Sequence, residues 1–167
     1  MKKNNKNIIA FNEKDEIKLV EVAKGRLMDL MKSGDDVEGL IQLLFEMRNL
    51  TVFFPAFSGA GLIADKNKHL DSQSLKKVLK QKSFLVAMAE DGPTFMVYFS
   101  REDLIKSAPE GFDFVALSVN FMELLKQISL VCRELAGVSL DPDGANLFLN
   151  MLSVNQIISI FKELGII

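Results

Sequence analysis

Residues 83–119 read SFLVAMA, EDGP, TFMVYF, SREDLIKSAPEG and FDFVALSV, and this stretch decides the fold. Its composition predicts strand, turn, strand, short helix, strand. SFLVAMA and TFMVYF are nearly continuous apolar runs, so both strands are expected to be buried on both faces. Asp91-Gly92 is a turn signal. Pro93 has no N–H to close a tight hairpin, so a loop slightly longer than two residues is expected. Ser100 stands three residues before Asp103, the spacing of a helix N-cap. Pro109 and Gly111 break that helix, and FDFVALSV starts a strand at Phe112.

The same step repeats downstream. Asn120 precedes Glu123, and Ser153 precedes Gln156, so each is read as starting a helix. The first of these helices buries Phe121, Leu124, Leu125, Ile128, Cys132 and Leu135; the second buries Val154, Ile157, Ile158 and Phe161. Between them lie a short strand at Val138–Leu140, a turn at Asp141-Pro142-Asp143-Gly144, and a strand at Asn146–Leu149. Strands feeding capped helices imply an α/β (mixed α+β) domain, a central mixed β-sheet with helices on both faces.

Upstream, Glu13–Lys32 reads as an amphipathic helix with Ile17, Val20, Leu27, Met28 and Met31 on one face. Gly34 stops it, and Asp35 with Glu38 starts a second helix, Val37–Arg48, that buries Val37, Leu40, Ile41 and Leu44. The short link predicts an N-terminal helix pair. Residues 1–36 are therefore an extension, and 37–167 the α/β domain, the two packing as one unit. LTVFF (50–54) is a strand that Pro55 ends, and PAFSGAG (55–61) is a loop. Its glycines lack the Lys-Ser/Thr ending of a P-loop and the GxGxxG spacing, so no phosphate site is expected. Gln73–Lys82 is a helix with Leu75, Val78 and Leu79 inward.

The 167 residues suffice for one core, and 49% of them are apolar, which excludes a largely disordered chain. Thirteen Phe and eight Met without Trp leave apolar surface to spare for an interface, self-association included. The net charge of −2 gives no field that favours nucleic acid or an anionic membrane. No run approaches the ~18 apolar residues of a membrane span, and no signal-peptide core follows the N-terminal lysines. With a single cysteine, a cytoplasmic protein is expected.

Three motifs resemble the N-terminal domain of the SseB family, named for enhanced serine sensitivity. They are LTVFFP (50–55), MVYFSREDL (96–104, through Phe99, Ser100, Glu102 and Leu104) and VSLDPDGANLFL (138–149, through Pro142 and Gly144). Asp141 stands where that family has Asn, and Asp can make the same Asx-type turn. The resemblance covers about residues 37–164 and implies a mixed α/β domain without known catalysis, linked to amino-acid sensitivity.

Few residues suggest chemistry. Ser100 reads as a cap, without the GxSxG elbow of a nucleophile. Asp141 and Asp143 are two carboxylates in one turn, short of a calcium loop. His69 is the only histidine, and Cys132 lies on a buried helix face. Binding candidates are Ser58, Ser100, Asp141 and Asp143, in or beside the loops that end the sheet. Lys76, Lys77 and Lys80 form a basic face that reads as solvated, without aromatics to stack on bases. No catalytic or metal residue and no cofactor is expected. The expected function is protein interaction or regulation, through a protein partner or self-association. Small-molecule (amino-acid) sensing is the alternative, and an enzyme a lesser one.

Overall fold

Two strands of this chain end in asparagine, and each asparagine starts the next helix. The computed structural model describes residues 18–32, 34, 36–58 and 69–167. Among the described residues, six helices and six strands build a mixed α/β fold. In order they are α1 (18–32), α2 (Val37–Glu46), β1 (Thr51–Ala56), α3 (Ser72–Lys80), β2 (Val86–Ala89) and β3 (Gly92–Val97). Then come α4 (Arg101–Ser107), β4 (Val115–Asn120), α5 (Phe121–Val131), β5 (Gly137–Leu140), β6 (Leu147–Asn150) and α6 (Met151–Glu163).

Side-chain caps set the helix starts. The Ser100 hydroxyl accepts from Asp103 N–H at 3.1 Å, and Asn120 Oδ1 accepts from Glu123 N–H at 3.0 Å. For α6 the cap is Asn150, not Ser153: Asn150 Oδ1 accepts from Ser153 N–H at 2.8 Å. Asn150 still has extended backbone, whereas Ser153 already lies in the helix and supplies the orphan donor. For α2 the cap is Asp36, which accepts from Gly39 N–H; Asp35 lies outside the described residues. Asn120→Ala is expected to lower stability by about 1 kcal/mol, read by urea denaturation.

The strands divide between two sheets. β1 pairs antiparallel with β4, and the other four run in the order β2-β3-β5-β6, with β5 parallel to β3. Pro55 explains the division. It does not end β1 but sits inside it, opposite Ala116. β1 lies across the mouth of the β2–β3 hairpin. Phe53 exchanges two backbone bonds with Tyr98 (2.8 Å each), Leu85 N–H donates to Pro55 O (3.0 Å), and Phe57 N–H donates to Ser83 O (2.8 Å). Pro55 cannot return the bond to Leu85, so the ladder between β1 and β2 stops at a single bridge.

The hairpin is tighter than expected. Its loop is the two residues Glu90-Asp91, closed by Ala89 opposite Gly92, whose φ is +120°. Pro93 does not obstruct it because its polar backbone edge faces β5, where Pro93 O accepts from Ala136 N–H at 2.8 Å.

Strand alternation sorts the side chains. Phe54, Phe84, Phe95, Val97, Val138 and Leu140 point inward to the main core. That core takes in Leu75, Val78 and Leu79 of α3, the expected faces of α5 and α6, and Ala23 and Leu27 of α1; α5 ends at Val131, so Cys132 and Leu135, expected within it, are buried just beyond its end, and Gly137 opens β5. On the outer face, α4 covers β1 and β4, with Leu104 buried and the Arg101 guanidinium 5.7 Å from the Phe53 ring. No helix of comparable position covers the outer face of β2 and β3 among the described residues. Both strands were expected to be buried on both faces; instead Ala87, Met88 and Ala89 are exposed.

Other expectations also shift. In α1 the buried residues are Ala23 and Leu27, while Met28 and Met31 are exposed; Ile17 lies outside the described residues. In α2 the buried residues are Leu43 and Leu44, and Val37 is exposed. Arg26 of α1 pairs with Glu46 of α2. β4 starts at Val115, so Phe112 is half-exposed in the preceding turn.

Candidate functional site

The outer face of β2 and β3, left open beside α4, is the floor of a groove. Thr94, Met96 and Tyr98 alternate along β3 with the inward Phe95 and Val97, and Ala87 stands opposite Thr94 on β2. Two adjoining hollows share the floor of Ala87, Met96, Tyr98 and Ser107. One, of about 310 Å³, is apolar, walled by Pro55, Leu85, Leu104, Pro109, Phe112 and Phe114. The other, of about 460 Å³, is more polar, walled by Asp91, Thr94, Ser139, Asp143, Asn146 and Phe148. The arrangement suits a ligand with an apolar body and a cationic or donor-rich end.

Tyr98 stands at the junction. The Ser107 hydroxyl, on the last turn of α4, donates to Tyr98 Oη at 2.7 Å, and Tyr98 Oη lies 3.8 Å from Met96 Sδ. Burial holds the Tyr98 hydroxyl above the usual tyrosine range, and Asp143 and Asp141 add to the effect. It is therefore a neutral hydroxyl at physiological pH, able to donate or accept.

The turn after β5 shapes the polar end. Asp141 has φ +55°, and its carbonyl accepts from Gly144 N–H (3.0 Å) and Asn146 N–H (2.8 Å). Its Oδ2 accepts from Ala145 N–H at 3.2 Å. A Cβ on residue 144 would lie 2.1 Å from Asp141 Oδ2, so the glycine makes room for the carboxylate. Asp141 is buried and holds the turn; Asp143 reaches the groove. Asn146 Oδ1 accepts from the Ser139 hydroxyl at 2.5 Å, which pins the turn to the groove floor.

The sequence-derived candidates are not brought together. Ser100 caps α4. Ser58 donates to Asp113 Oδ1 at 2.5 Å, and residues 59–61 of its loop lie outside the described residues. Lys76, Lys77 and Lys80 are exposed on α3, opposite Leu75, Val78 and Leu79. His69 and Leu70 run along β4, with Leu70 N–H donating to Ser118 O at 2.9 Å. Among the described residues no group of three Cys, His, Asp or Glu side chains could hold a metal ion, and no helix is long and apolar enough to cross a membrane.

Cys132 is fully buried, and burial pushes its thiol from an ordinary value near 9 up to about 12. The folded chain thus keeps a proton that the unfolded chain releases above pH 9. Stability is expected to fall between pH 9 and 12 from this group, by up to ~1.4 kcal/mol per pH unit. Cys132→Ser, which titrates in neither state there, removes this part of the slope in denaturation at several pH values.

The groove residues Tyr98, Met96, Ser107 and Asp91 escaped the sequence reading. The signal was present as Thr94-Met96-Tyr98 alternating with Phe95-Val97-Phe99, but Met and Tyr made the run look uniformly apolar.

Compared with protein-family models, curated proteins and solved structures, the chain matches none.

Proposed function

We propose that this chain is a non-enzymatic interaction domain that holds an extended segment of a partner protein in the groove over Tyr98. The observation that carries this is the shared floor: two adjoining hollows meet over Ala87, Met96, Tyr98 and Ser107, one with an apolar wall at Phe112 and the other with carboxylates at Asp91 and Asp143. An apolar side chain fills the first hollow, and a nearby Lys or Arg meets the second. The resemblance of LTVFFP, MVYFSREDL and VSLDPDGANLFL to the SseB family supports a non-catalytic role. The buried, unpaired Cys132 fits a reducing cytoplasm.

Selection of displayed random peptides on the intact protein tests the reading. Enriched peptides are expected to join an apolar residue to a basic one, and to lose binding to Ala87→Arg, which fills the floor from an exposed position. Peptides indifferent to Ala87→Arg would overturn it. The second reading is an amino-acid sensor, favoured by the Tyr98 and Ser107 hydroxyls at the edge of a 310 Å³ apolar hollow. A thermal-shift panel of amino acids tests that reading, and a flat panel removes it.

A further inference from the structure

We propose that residues 84–88, the start of β2 and the residues leading into it, are the seam of a homodimer, pairing edge to edge with the same segment of a second copy about a twofold axis at Val86. β2 ends the strand order of its sheet. Because Pro93 turns its backbone toward β5, Gly92 and Thr94 bond to Ala89 and Ala87. Val86 and Met88 then direct their N–H and C=O groups away from the sheet. Among the described residues, nothing is bonded to that edge. Edges of this kind are ordinarily guarded by being very short, or by a lysine, a proline, a bulge or a covering segment, and of these β2 has its four-residue length. VAMA (86–89) has no charge and no proline, and Met88 is 76% exposed.

The charges flanking the strand select a second copy as the occupant. Lys82 precedes β2, and Glu90-Asp91 follow it. Antiparallel pairing through a twofold at Val86 brings the Glu90 turn of each copy toward the Lys82 turn of the other, so both ends are complementary at once. Lys82 is available for this: its contact with Glu134 is a loose 3.9 Å, and its side chain is 70% exposed. The edge is short, so the dimer is weak and forms with rising concentration. Ala87 and Ala89 line the groove floor and rim on this same strand, so the dimer places two grooves side by side for a bivalent partner.

Sedimentation of the full chain from micromolar to millimolar concentration tests the proposal. A monomer–dimer equilibrium is expected. Met88→Pro removes one outward N–H without touching the β3 ladder, and is expected to raise the dissociation constant at least ~10-fold. Far-UV circular dichroism and a thermal melt establish that this variant is folded. Glu90→Lys, in an exposed turn, is expected to weaken the dimer about threefold, and adding Lys82→Glu to restore it. A monomer throughout the range, or a dimer indifferent to both Met88→Pro and Glu90→Lys, would overturn the proposal.

Discussion

Gly137→Ala is expected to destabilise the fold by about 3 kcal/mol, as overpacking against fixed backbone. A Cβ at this position would lie 2.2 Å from the Leu149 carbonyl oxygen and 2.7 Å from the Phe148 ring. The ring can turn aside, but the carbonyl belongs to the ladder between β5 and β6. Gly137 also stands opposite Thr94 in β3, so β5 cannot retreat. Urea denaturation reads the loss. The contrasting control is Gly25→Ala on the exposed side of α1, where an added Cβ meets nothing within 4 Å. It is expected to gain up to ~1 kcal/mol from helix propensity. Equal effects at the two glycines would show that β6 can shift freely, contrary to this account.

Phe95→Ala is the other large loss, about 3–5 kcal/mol. Phe95 is fully buried, and its ring centroid lies 5.1 Å from that of Phe54 and 5.1 Å from that of Phe84. Phe54 belongs to β1, so this ring joins the two sheets where their hydrogen bonds are fewest. Truncation leaves a cavity and breaks two tilted aromatic contacts. Phe112→Ala is the comparison. Its ring is half-exposed at the groove wall, so the stability cost is expected to stay below ~1 kcal/mol while the apolar hollow widens. A loss at Phe95 no larger than at Phe112 would mean that the aromatic cluster contributes little.

The inward half of this fold was legible in the sequence, and the outward half was not. α3, α5 and α6 bury the residues that helical spacing selects, because one apolar stripe faces one layer. Ser100 and Asn120 cap where their spacing says, because capping is local chemistry. The alternation along β3 was hidden because its outer residues, Met96 and Tyr98, are as apolar as its inner ones. Pro55 and Pro93 were read as obstacles because a proline's effect depends on which way its missing N–H would point. That direction is set by strands far along the chain. The groove was illegible for the same reason: Pro55, Tyr98, Phe112 and Asp143 share no local pattern and meet only when the sheet forms.

Pro55 also sets the order in which the sheet can assemble. β2 with β3, and β5 with β6, are joined by short loops and close quickly. β1 must find β4 across roughly 60 residues, at a much greater entropic cost. A continuous ladder from the early hairpin would have templated β1 residue by residue. With the Leu85 bond unreturned, the hairpin offers β1 only isolated footholds at Tyr98, Leu85 and Ser83. The two-stranded sheet is therefore expected to form after the hairpins, held by its own six-residue ladder and by the aromatic rings beneath it.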